Sequence, residues 1–98
     1  MALRIFSAAA FAAAMLATPT QARDIHYTVQ TVKPVNAQTV IAGRVLWRCA
    51  GTTCVAAKNG RRDATVCSRL QREVGDIASF TAGDETFDDA ALAKCNKA

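Results

Sequence analysis

The residues best equipped for chemistry are four cysteines, Cys49, Cys54, Cys67 and Cys95, and the lone histidine His26. Thiols can ligate a metal, exchange electrons or pair covalently, and spacing argues among the three. A zinc centre draws on closely spaced ligand pairs such as C-x-x-C, completed by thiolate or imidazole into a tetrahedron. Here Cys49 and Cys54 have four residues between them, Cys67 and Cys95 are isolated, and His26 is distant in sequence. A redox-active pair is usually C-x-x-C at a helix N-terminus, where the dipole lowers a thiol pKa. Cys49 and Cys54 instead flank the turn-forming Ala50-Gly51-Thr52-Thr53. Structural disulfides are therefore the expectation for all four, and no cofactor or metal is expected.

Four cysteines allow three connectivities, and geometry favours one. Cross-strand Cβ atoms lie about 4.5–5.5 Å apart and a disulfide needs about 3.5–4.5 Å, so a Cys49–Cys54 bridge across a turn requires only slight closure. Cys67 then pairs with Cys95. On a chain-entropy estimate the short loop contributes about 2 kcal/mol and the longer one about 3.5 kcal/mol.

Other residues invite a functional reading and lose to a simpler one. His26 could act as a general base only with partners the sequence does not place, and an exposed strand histidine is the expectation. Ser68 and Ser79 lie in no G-x-S-x-G elbow, so a serine-nucleophile reading has no support. Trp47 and Phe80 could line a pocket, but a small core needs them as filling. The sharpest binding signal is the set Arg44, Arg48, Lys58, Arg61 and Arg62, which could gather on one side of a hairpin and contact an anionic surface. Charged strand positions also serve simply to prevent edge-to-edge aggregation.

These residues must be positioned by short elements. Ile25 to Val32 is β-branched and aromatic, with Tyr27 and Val29 alternating against His26, Thr28 and Gln30, and predicts a strand closed by Lys33-Pro34. Thr39 to Cys49 predicts a second strand, bent at Gly43, and a four-residue loop leads to a third, Cys54 to Ala57. With Cys49 opposite Cys54, Trp47 faces Ala56 and Val45 faces Lys58, so Val45, Trp47, Cys49, Cys54 and Ala56 share the buried face; Arg44 and Arg48 take the opposite parity. Asp63 is placed to cap a helix running to Val74 with Gly75 as terminator, its inner side Val66, Cys67, Leu70 and Val74. Ile77 to Ala82 suits a short fourth strand and Gly83-Asp84-Glu85 a turn. Thr86 with Asp89 forms a capping arrangement for a last helix that turns Phe87, Ala91, Leu92 and Cys95 inward. The expected fold class is α+β: a small antiparallel sheet, a hairpin plus one or two strands, with two helices packed on one face and disulfide staples.

The first 22 residues stand apart. Met1 to Arg4 carries one positive charge, Ile5 to Ala17 is an uncharged apolar run, and Pro19 precedes Thr20-Gln21-Ala22, the order of a secretory signal peptide cleaved after Ala22. A run of 13 residues is too short for a spanning helix, which needs about 20. The remaining domain, residues 23–98, is of a size at which staples supplement a marginal core, and an oxidising exported compartment, periplasmic or extracellular, lets them form. Without Arg4 the chain has eleven basic and eight acidic residues, a formal charge of +3. Residues 23–62 hold seven bases against Asp24 alone; residues 63–98 hold seven acids against Arg69, Arg72, Lys94 and Lys97.

The stretch Val45-Leu46-Trp47-Arg48-Cys49-Ala50-Gly51-Thr52-Thr53-Cys54-Val55-Ala56, with Val66-Cys67, Arg72-Glu73-Val74-Gly75, Ser79-Phe80 and Leu92-Ala93-Lys94-Cys95-Asn96, resembles a family of short exported alphaproteobacterial proteins of unknown function. Its marks are a W-x-C-x-G-x-x-C hairpin, a helical Cys before R-E-V-G and a C-terminal C-N, and they cover nearly all of residues 23–98. The resemblance implies an exported bacterial protein and carries over no catalytic residue.

The expected function is a non-enzymatic binding or structural protein of the envelope, its partner an anionic envelope surface or another exported protein. An enzyme would need base, nucleophile and oxyanion donor in a cleft this domain has little room to form. Nucleic acid is not expected, because no stacking aromatic pattern accompanies the bases. The alternative is a small secreted inhibitor presenting Ala50 to Thr53 or Lys58 to Arg62 as a rigid inserting loop.

Overall fold

The computed structural model describes residues 25–97. The signal peptide expected over residues 1–22 and its cleavage point lie outside the described residues. Eight elements follow in order: β1 (Tyr27–Thr31), β2 (Thr39–Ala42), β3 (Val45–Ala50), β4 (Thr53–Ala56), α1 (Asp63–Val74), β5 (Ile77–Ala82), β6 (Glu85–Thr86) and α2 (Asp89–Lys97). The strands form a single antiparallel sheet in the order β2-β3-β4-β1-β5-β6. Both helices lie on one face, so the α+β class and the helix placement follow the sequence, while the sheet is larger than a hairpin plus one or two strands.

Two turns account for the extra strands. Gly43 and Arg44 both have positive φ, 58° and 69°, which folds residues 39–50 into a two-residue hairpin rather than one strand bent at Gly43. Ala42 then faces Val45, and Ile41 faces Leu46. A second positive-φ glycine, Gly83, turns β5 back on Glu85 and Thr86, and the Thr81 and Thr86 hydroxyls meet at 3.2 Å across the new pair. The hairpin between the first two cysteines is also tighter than a four-residue loop, because Ala50 and Thr53 pair and only Gly51 and Thr52 remain in the turn.

Period-two alternation sorts side chains between the faces. Tyr27, Val29, Val45, Trp47, Cys49, Cys54, Ala56, Phe80 and Ala82 are buried on the helix side, so the face expected for the cysteine hairpin is the buried one. Between Gln30 and Thr31 the β1–β5 register slips, Gln30 facing Ser79 and Thr31 facing Ile77. The extra residue, Ala78, bulges outward and returns Ile77 to the inner side, which strict alternation would not do. Thr31 is the buried polar exception, and its hydroxyl donates to the Lys33 carbonyl at 2.6 Å. Trp47, Tyr27, Phe80 and Phe87 form an aromatic row across the core, neighbouring centroids 5.8, 5.8 and 4.5 Å apart.

On α1, Val66, Cys67 and Leu70 are buried and Val74 packs against the core, as their spacing predicts. Its cap departs from expectation: Arg62 takes the N-cap position with no side-chain bond, and Asp63 is the first helical residue, where its charge favours the positive end of the helix. On α2 the cap is Asp88 rather than Thr86, its carboxylate accepting from the Ala91 N–H at 2.8 Å while Thr86 is spent on β6. Two disulfides close the structure, Cys49–Cys54 across β3 and β4 and Cys67–Cys95 between α1 and α2. This is the pairing the turn geometry favoured.

Candidate functional site: a basic groove on the uncovered sheet face

Helices cover one side of the sheet and leave the other in water. On that outer side lie Ile41, Leu46, Arg48 and Val55, with Thr28, Gln30, Ser79 and Thr81 further across. Ile41 and Leu46 face each other across β2 and β3 and are 67% and 52% exposed. They form a small paired apolar patch in solvent rather than being scattered singly.

The local pairing explains why a depression forms beside them. The β3–β4 ladder runs from Ala50 and Thr53 through the cysteines to Arg48 and Val55, and stops there. Beyond that point β3 stays paired with β2 down to Val45, and Ala56 stays paired with Tyr27 of β1. The register that would set Val45 against Lys58 is therefore not continued. Each strand follows its other neighbour, and a groove of about 410 Å³ opens between them. Ile25, Leu46 and Val55 supply its apolar lining and Arg44, Arg48 and Lys58 its charge. Among the described residues lining it there is no carboxylate.

Three of the five cations expected to act together thus share one groove. Arg61 and Arg62 are exposed in the loop that enters α1 and do not line it. Arg44 was placed there by an accident of backbone rather than by strand parity: it is the second residue of the tight turn, with φ 69°. A left-handed conformation costs a non-glycine residue about 1–2 kcal/mol, and Arg44 bears it at the mouth of the groove.

The other candidates are occupied structurally. Trp47 and Phe80 are fully buried and do not line this groove; the Trp47 indole N–H is buried without a hydrogen-bond partner. His26, half-buried just ahead of β1, lies edge-on to Tyr27 at 4.7 Å, and its backbone carbonyl accepts from Gly83 N–H at 2.9 Å. Ser68 Oγ donates to the Thr65 carbonyl at 3.2 Å, within its own helix. The turn between Cys49 and Cys54 is held against the body, since the Gly51 carbonyl accepts from Val35 N–H and the Thr52 carbonyl from Thr31 N–H, both at 2.8 Å.

One residue that chemistry-minded reading overlooks is Asn96. Its Oδ1 accepts from Ile77 N–H at 2.8 Å and its Nδ2 donates to the Ile77 carbonyl at 3.0 Å. Because β6 is only two residues long, the start of β5 has no strand on that side, and the Asn96 amide takes the place of a neighbouring peptide group. The C-terminal C-N motif was the one sign of this, and nothing in its spacing specified the partner.

A six-stranded antiparallel sheet, two disulfide-linked helices on one face and a cationic groove on the other define a small stapled α+β protein. The chain belongs to the family of unknown function DUF8200, which it matches over residues 9–97. No curated protein and no solved structure matches it.

Proposed function

We propose that this is an exported, non-enzymatic binding protein that attaches to an anionic surface of the bacterial envelope through the uncovered sheet face. The observation that carries the reading is the convergence of Arg44, Arg48 and Lys58 on an apolar groove lined, among the described residues, by no acid. Cations around exposed aliphatic side chains suit a surface that offers negative head groups over hydrocarbon. Two disulfides support export, since such bonds persist in oxidising compartments. The Ser68 hydroxyl is bonded within its own helix and all four cysteines are paired, which supports a binding role over turnover. Among the described residues no helix is long and apolar enough to cross a membrane.

Co-sedimentation with vesicles tests the reading. Phosphatidylglycerol vesicles should retain the protein at low ionic strength and release it at high salt, while phosphatidylcholine vesicles should not retain it. Equal partitioning into both, or none into either, sinks the proposal. Export is tested separately by intact mass without reduction: a chain starting at Arg23 and four hydrogens light supports it, and a retained leader with free thiols refutes it.

A further inference from the structure

We infer that the groove binds one anionic phospholipid molecule, its phosphate held among Arg44, Arg48 and Lys58 and an acyl chain lying on Ile25, Leu46 and Val55. This rests on the surface-attachment reading and goes beyond it. Attachment by charge needs only a basic face, whereas a built lipid site needs a trough, an apolar floor and a local cluster of donors.

All three are present. The trough exists because β3 and β4 part beyond Arg48 and Val55, each kept by its other neighbour. Its volume, about 410 Å³, falls in the usual range of small-molecule sites, about 300–1,000 Å³. The floor contains Ile25 and Leu46, 41% and 52% exposed, which an acyl chain would remove from water. The charge is complementary to a phosphate: two guanidiniums and an ammonium, with no carboxylate among the described residues of the lining.

The side chains of the lining favour lipid over an acidic peptide: among the described residues of the lining the one uncharged polar side chain is Asn59, and its Oδ1 already accepts the Arg61 N–H at 2.9 Å. Arg44 adds a further indication, because glycine or asparagine would occupy φ 69° with less strain but would bring no positive charge to that position.

The test titrates the uniformly 15N-labelled protein with dihexanoyl phosphatidylglycerol kept monomeric in solution, followed by NMR. Saturable one-site shifts are expected at the amides of residues 44–48 and 55–59. Dihexanoyl phosphatidylcholine should bind at least tenfold more weakly. Leu46→Gln, at an exposed position that leaves the core intact, should weaken the anionic lipid about tenfold. Arg44→Asn should weaken it by a similar factor without loss of folded-state dispersion. Phosphatidylglycerol vesicles that bind while the monomeric lipid produces no saturable groove shifts would overturn the lipid site and leave surface attachment standing. Failure of both would overturn both. Equal affinity for the two head groups, or groove shifts from a short Glu/Leu peptide and none from the lipid, would also overturn it.

Discussion

Removing the helix–helix disulfide should unfold this protein far more readily than removing the hairpin one, although the same atoms are deleted. Cys67 and Cys95 are 28 residues apart and Cys49 and Cys54 only 5. In the chain-entropy model those loops correspond to about 3.5 and about 2 kcal/mol. All four cysteines are at most 5% exposed, so the cavity left by Cys67→Ala/Cys95→Ala resembles that left by Cys49→Ala/Cys54→Ala and largely cancels in the comparison. The difference, about 1.5 kcal/mol, is roughly tenfold in the folding equilibrium. A domain of this length is stable by about 4–11 kcal/mol, so the longer bridge represents a large share of it. The assay is urea unfolding monitored by Trp47 fluorescence. With a slope near 1 kcal/mol/M, the midpoint should fall by about 3.5 M for the helix pair and about 2 M for the hairpin pair. Losing a cross-link also expands the unfolded chain and raises the slope, so free energies from fitted slopes should be compared alongside midpoints. Equal losses, or a larger loss for the hairpin pair, would refute the loop-entropy account of how the domain is held.

Asn96→Ala strips both partners from the Ile77 peptide group and should destabilise by about 2–3 kcal/mol in the same assay, with early amide exchange at the start of β5. Gly43→Ala should cost about 2 kcal/mol, because the turn requires positive φ and the new Cβ would lie 2.8 Å from the Arg69 side-chain stem. Gly60→Ala, at φ 83° but in open space, should cost about half as much. Charge reversal by Arg48→Glu should reduce partitioning onto phosphatidylglycerol vesicles severalfold at low salt, with thermal midpoint unchanged because the residue is exposed. The pair Arg61→Glu/Arg62→Glu, outside the groove, should have a smaller effect, and the reverse order would shift the contact surface to the loop before α1.

Much of the architecture was legible from local rules. Alternation put Val45, Trp47, Cys49, Cys54 and Ala56 on one face, helical spacing put Val66, Cys67 and Leu70 inward, and the turn between Cys49 and Cys54 was enough to predict both bridges. The misplaced caps show where local rules run out. Asp63 and Thr86 both have side chains suited to capping, but the helix began one residue early in the first case, and a second-strand pairing claimed Thr86 in the other. Gly43 was visible as a break, yet the two-residue turn also needs a positive φ at Arg44, which its side chain disfavours and the β2–β3 pairing enforces.

The groove was beyond reach of the sequence for a related reason. Residue types alone marked Arg44, Arg48, Lys58, Arg61 and Arg62 as a basic group and could not say which of them converge. That depended on where the β3–β4 ladder ends, and the end is set by competition: Val45 stays with Ala42 of β2, and Ala56 stays with Tyr27 of β1. Periodicity is a property of neighbouring residues and can be read along the chain. Strand divergence belongs to pairings between residues distant in sequence, and only the assembled sheet decides it.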